Sequence, residues 1–128
     1  MRHLSIAAII IQLFLVSGCS RPDERMYPIG PEVKSDLFII FKTTATPEQV
    51  YKFSNETISD PKDGGSWPLP GIHEILHVYV DGREAYAIRF WQNASDDQRK
   101  YVRSRIDSSP IVYKVMENVV PSNVKKVD

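Results

Sequence analysis

The chain holds a single cysteine in 128 residues, so no internal disulfide can form. A secreted or surface-bound domain of this size must then draw its stability from its core alone. Neither sign of charge is in excess, with 16 Lys and Arg against 16 Asp and Glu. That balance lacks the electrostatic footprint of a nucleic-acid binder, and it argues against peripheral binding to anionic lipid by charge alone. Internal repeats and low-complexity tracts are missing. So are the Gly-x-Ser-x-Gly elbow, the phosphate-binding loop and the dinucleotide fingerprint. What remains has the make-up of an ordinary folded chain, 42% apolar and 25% charged, which excludes wholesale disorder. Its length leaves room for one domain.

The one long apolar run lies at the start. Met1-Arg2-His3 is followed by Leu4 to Val16, interrupted only by Ser5 and Gln12. A short basic start, an apolar stretch and small residues at its end describe a secretory signal peptide. The run falls short of the roughly 20 residues of a membrane span. The stretch Val16-Ser17-Gly18-Cys19 resembles the lipobox of bacterial lipoproteins, in which an aliphatic residue and two small ones precede an invariant cysteine. Val16, where Leu is commoner, is a departure from the pattern. The resemblance implies transfer of a diacylglyceryl group to Cys19, cleavage before it, and acylation (palmitate) of the new amino terminus. Two or more acyl chains hold a protein stably at a membrane, each buried methylene contributing about 0.8 kcal/mol. Ser20, not Asp, follows Cys19. In a Gram-negative envelope the family's sorting pattern then implies the outer membrane, facing the periplasm; in a Gram-positive cell the anchor would sit on the outer surface of the plasma membrane.

Residues 1–18 are accordingly expected to be a leader, residues 19–34 the lipidated Cys19 and a flexible tether, and residues 35–128 a single folded domain. Loss of the leader removes Arg2, leaving 15 basic against 16 acidic residues, a net charge of −1. The tether carries three prolines and a glycine with no apolar period. At roughly 3.3 Å per residue, Ser20 to Lys34 reaches at most about 50 Å.

Beyond the tether, Asp36 to Lys42 is dense in aromatic and β-branched residues and is expected to be a strand. Thr46-Pro47-Glu48-Gln49 has the form of a capping box with proline at the first helical position, and Val50, Phe53, Thr57 and Ile58 fall on one helical stripe. Asp60-Pro61 ends that helix. Lys62 to Gly71 is a loop by composition, with Trp67 and Leu69 as apolar exceptions and Gly64-Gly65-Ser66 as a turn. Ile72 to Val80 and Glu84 to Trp91 are strands around the hairpin signal Asp81-Gly82. Ser95-Asp96-Asp97-Gln98 repeats the capping box, with two carboxylates at the positive end of the helix. That helix should run to about Asp107. Ile111 to Met116 is a last strand, and Val119-Val120 either continues it or packs separately. The order βαββαβ resembles the ferredoxin-like fold, an α+β sandwich with a four-stranded antiparallel sheet and both helices on one face. The likeness is one of pattern, and that fold hosts many unrelated functions.

The hairpin register decides which side chains share a face. A two-residue loop sets Leu76 and Val78 beside Ala85 and Ala87. A three-residue loop with a bulge at Gly82 instead sets them beside Tyr86, Ile88 and Phe90, one strongly apolar face. The second choice is the more consistent, and the bulged turn is expected. It leaves His73, Ile75, His77, Tyr79, Ala85, Ala87, Arg89 and Trp91 on a face expected to meet solvent or a partner. Trp, Tyr and Arg are enriched at binding hot spots, while single exposed aromatics are also normal on an antiparallel outer face.

Candidate chemistry is thin. His73 and His77, four apart on a strand, stand about 13 Å from each other, too far for one zinc, so no metal and no cofactor are expected. Asp60, Asp63, Asp96 and Asp97 suit turns and caps. Asn55-Glu56-Thr57 and Asn93-Ala94-Ser95 match glycosylation acceptors but in a bacterial chain are chance. Thr43-Thr44-Ala45-Thr46 lacks the arginine and glycines that small phosphatases of the ferredoxin-like fold carry after the first strand. Nucleic acid is not an expected partner, because aromatic RNA-binding sheets sit in basic domains. The sequence reading is thus a lipid-anchored, non-enzymatic envelope protein that binds another envelope protein. Its candidate contacts are His73, His77, Tyr79, Arg89, Trp91 and Trp67. A protective (immunity or exclusion) lipoprotein would look the same. The rivals are a small periplasmic enzyme on a cell-wall or peptide substrate, using His73, His77 and Arg89 with a loop acid, and a lipid carrier with an apolar cavity between sheet and helices.

Overall fold

The computed structural model describes residues 30–63 and 67–127. The leader, Cys19, most of the tether and the Gly64-Gly65-Ser66 turn lie outside the described residues.

Four strands, β1 (Ser35–Phe41), β2 (Ile72–Val80), β3 (Arg83–Phe90) and β4 (Val112–Val119), form one open antiparallel sheet in the order β2-β3-β1-β4. Helix α1 (Pro47–Lys52) follows β1, and α2 (Asp96–Asp107) follows β3. The chain is therefore an α+β protein. Both capping boxes form as their sequences predict: the Thr46 and Ser95 hydroxyls accept from the backbones of Gln49 and Gln98, whose side chains return the bond to the cap N–H. The last strand continues through Val119 instead of stopping at Met116.

Helix α1 passes directly into a π-helical turn, Phe53–Thr57, closed by Ile58 N–H donating to the Phe53 carbonyl. The extra residue in that turn changes the stripe. Ile58 follows Phe53 by five positions, not four, and both are buried while Thr57 is only half-buried. Arg105 of α2 donates from Nε to the Thr57 carbonyl at 2.7 Å and from Nη2 to the Glu56 carbonyl, satisfying acceptors that the end of a helix leaves open.

The helices cover one face of the sheet. There Leu37, Ile39 and Phe41 of β1 and Tyr86, Ile88 and Phe90 of β3 meet Val50, Phe53, Val102 and Ile106 of the helices. Phe41 meets Phe53 edge-on at 4.9 Å and Tyr86 at 5.5 Å.

The opposite face overturns the expected solvent surface. Phe38 and Ile40 are fully buried there, with Val80, Ala85 and Ala87. Leu76, Val78, Met116 and Val119 pack against them, and so do Val124 and Val127 of the C-terminal segment. A 3₁₀ turn, Pro121–Asn123, redirects that segment, and Ser122 N–H donates to the Pro31 carbonyl at 2.8 Å. The sheet thus has a small second core instead of a polar outer face.

The register is the cause. Val80 pairs with Arg83, Val78 with Ala85 and Leu76 with Ala87, so the hairpin is the two-residue form and not the bulged one. Asp81 and Gly82 both take positive φ, +53° and +75°, the type I′ turn whose twist matches the flanking strands. Aspartate and glycine are among the few residues that accept this conformation readily. A bulge does occur in this pair, but between Ile72 and Glu74 at the far end. It lets Ile72 join the helix-side core while Glu74, Leu76 and Val78 keep to the second face.

Candidate partner-binding surface

Since the register differs from the expected one, the candidate residues do not form a single face. His77 pairs with Tyr86 and Tyr79 with Glu84, which sets both on the helix side, at the outer edge of the sheet. Arg89 follows Ala85 and Ala87 to the other side. The structure brings five of the six residues together in two groups and leaves Trp67 by itself.

The first group lies on β2, the edge strand of the sheet among the described residues. The His77 ring tilts against Tyr79 at 5.2 Å and Tyr86 at 4.9 Å. Glu84 lies 4.0 Å from His77 Nε2 and accepts from the Tyr79 hydroxyl at 3.3 Å. Tyr79 is 67% exposed. Tyr86 closes the inner side of the group, stacking on Phe53 at 6.3 Å and hydrogen-bonded to Ser54 of the π-helical turn. Burial raises the Tyr86 pKa above its ordinary value, and Glu84 and Tyr79 push it the same way, against the lowering effect of the Ser54 bond. The phenol therefore stays neutral at physiological pH, with its hydroxyl available for hydrogen bonding.

The second group is more enclosed. Arg89 Nη1 donates to Glu74 Oε1 at 2.8 Å. His73, at the bulge, sets its ring edge-on to Trp91 at 4.1 Å and its Nδ1 3.9 Å from Glu74 Oε2. The His73 side chain is 6% exposed. Buried charges need partners of this kind, and the arrangement is that of a packed ion pair with an aromatic lid. His73 and His77 face opposite sides of the sheet, so they do not converge as the enzyme reading requires.

Trp67 stands 67% exposed on a loop whose backbone is well tied. Its carbonyl accepts from Asp60 N–H at 2.8 Å, and Leu69, two residues on, is anchored in the core by a 3.0 Å bond to Ile58. Sequence reasoning missed Glu74, Glu84 and Tyr86 as members of these groups. Each is a cross-strand partner or neighbour of a residue it did single out, and only the true register reveals the pairing.

Among the described residues, no group of three His, Cys, Asp or Glu side chains is placed to hold a metal ion, and no helix is long and apolar enough to cross a membrane. Comparison of the chain with protein-family models, with curated proteins and with solved structures gives no match.

Proposed function

We propose that this is a lipid-anchored protein of the bacterial cell envelope, held by acyl chains on Cys19, whose ferredoxin-like domain binds another envelope protein without catalysing a reaction. The anchor rests on the coincidence of a basic start, an apolar run and Val16-Ser17-Gly18-Cys19 in that order. The strand order β2-β3-β1-β4 with both helices on one face is the arrangement that supports the ferredoxin-like assignment. In a Gram-negative source, Ser20 directs the protein to the outer membrane.

The single observation that carries partner binding is the edge strand β2. It runs nine residues, stands last in the order of the described strands, and displays Tyr79 beside His77 and Glu84. A free edge offers backbone donors and acceptors to an added strand, and exposed aromatics beside it supply side-chain contact. Trp67 is a second exposed aromatic. The separation of His73 from His77 disfavours the enzyme reading. The filling of the space between sheet and helices by Phe41, Phe53, Ile58, Ile88, Val102 and Ile106 disfavours a carrier.

The anchor is tested by mass spectrometry and membrane fractionation of wild type beside Cys19→Ala. Acyl mass on Cys19 and release of the variant from the membrane are the expected results; an intact leader without lipid overturns the anchor. Partner binding is tested by photo-crosslinking in whole cells from positions 79 and 67, with Tyr101 on α2 as control. A discrete adduct from the first two and none from the third is expected. Equal labelling from all three removes the case for the β2 edge.

A further inference from the structure

The C-terminal segment does more than cover the second core. Between it and β4 lies a groove of about 770 Å³, lined by Met116, Val119, Val120 and Val124 together with Lys34, Lys125 and Lys126. The four apolar side chains are half-buried, while the three lysines are exposed. Asn118 and Asn123 complete the lining, and no carboxylate is among the described residues that form it. An apolar floor whose charged described residues are all lysines matches an amphiphile that carries negative charge next to hydrocarbon.

The groove's position adds a second, independent argument. Lys34 is the last residue before β1, where the chain joins the sheet, and it lines the groove itself. The Pro31 carbonyl bond to Ser122 fixes the incoming chain beside the 3₁₀ turn whose Asn123 lines the groove. The chain arriving from Cys19 therefore reaches the domain at this face. Lys34 follows Cys19 by only 15 positions.

We infer that the Lys34, Lys125 and Lys126 groove is the face with which the domain rests on its own membrane, taking anionic phospholipid headgroups on the lysines and the adjoining acyl region on the Met116, Val119 and Val124 floor. The inference rests on the lipid-anchor reading. The near-neutral charge of the whole chain is no obstacle, since three lysines need only orient a domain already tethered. Each lysine close to an anionic surface favours the docked state by about fivefold, from roughly 1 kcal/mol per residue, so the three together favour it by about a hundredfold. Docking would turn the β2 edge, at the opposite side of the sheet from β4, away from the bilayer and toward a partner.

Lysine footprinting tests this without depending on what the cell does to Cys19. The chain from Cys19 onward contains every residue of both cores, and Cys19 is its only thiol. It can be coupled to a maleimide lipid in vesicles, which reproduces the tether by chemistry alone. Acetylation of each lysine is then read by mass spectrometry on vesicles of phosphatidylcholine and of phosphatidylcholine mixed with phosphatidylglycerol. Lys34, Lys125 and Lys126 should lose reactivity together on the anionic vesicles only, by up to about the hundredfold docking preference, and regain it in high salt, while Lys52, Lys62 and Lys100 stay unchanged. The variant with Lys34, Lys125 and Lys126 all changed to Gln should lose salt-dependent docking, read as equal hydrogen exchange of Val119 to Val124 on both vesicles. Equal lysine reactivity on both vesicles, or protection confined to Lys52 and Lys62, overturns the membrane face. Protection of the groove by an added envelope protein and not by lipid would overturn it as well, assigning the groove to that protein. Failure of the anchor itself would appear elsewhere, as missing acyl mass on Cys19 of the protein taken from cells.

Discussion

Asp81 sits at φ +53° in the β2–β3 turn, and its replacement by valine tests the register on which both cores depend. Left-handed backbone brings Cβ against the following carbonyl and destabilises ordinary residues by roughly 1–2 kcal/mol, with aspartate and asparagine tolerated. Valine adds a second branch at Cβ and is worse placed than most. Asp81→Val should therefore lose about 1–2 kcal/mol, while Asp81→Asn should lose nothing measurable. Gly82→Ala makes an internal control. Its φ of +75° strains any side chain although nothing lies within 4 Å of the added carbon, and the bulged alternative also places Gly82 left-handed. It should lose about 1 kcal/mol in either register. Urea unfolding measures all three, since m values of about 1–3 kcal/mol per M convert such losses into midpoint shifts of roughly 0.3–2 M at constant m. In the bulged turn Asp81 would be right-handed. A neutral Asp81→Val beside a destabilised Gly82→Ala would refute the two-residue turn and, with it, the placement of Leu76 and Val78 on the second core.

The second core makes its own prediction: Phe38→Ala, at a position with no exposed surface, should lose about 3–5 kcal/mol in the same assay. A loss within about 0.5 kcal/mol, as on a solvated face, would show that face to be open. Thr46→Ala and Ser95→Ala should each lose about 1 kcal/mol through their capping boxes, by thermal or urea unfolding, and a null effect at both would remove the caps from the account of the helices. Tyr86 gives an alkaline signature. Its folded-state pKa is raised above the ordinary 10.0, so its contribution is complete below pH 10.0 and is lost as pH climbs through the folded value. Tyr86→Phe should be less stable at neutral pH, by about 1 kcal/mol for the Ser54 bond, yet lose less as pH rises above that point. Parallel alkaline limbs for wild type and variant would contradict this.

Much of the architecture was legible before any coordinates. The two capping boxes declare their helices because a cap is a bond between residues three apart, wholly contained in local sequence. The strands follow from runs of β-branched and aromatic residues bounded by Gly, Pro and Asp. The burial of both sheet faces was also written in β1, where Leu37 to Phe41 is apolar without alternation, the mark of a central strand covered on both sides. Reading β2 and β3 as an isolated pair overlooked that signal, since it sought one apolar face where β1 demands two.

What sequence alone determined is the α+β class, the order of elements and most of the residues that start and stop them. All of these are set by short-range chemistry or by composition. Only the tertiary structure decided the hairpin register, the π-helical turn, the division of the candidate residues between two faces, and the groove at Lys34, Lys125 and Lys126. Those depend on which of two locally permissible backbones buries more apolar surface once β1, β4 and the C-terminal segment are in place. That comparison is made across residues far apart in the chain, where no local pattern can express it.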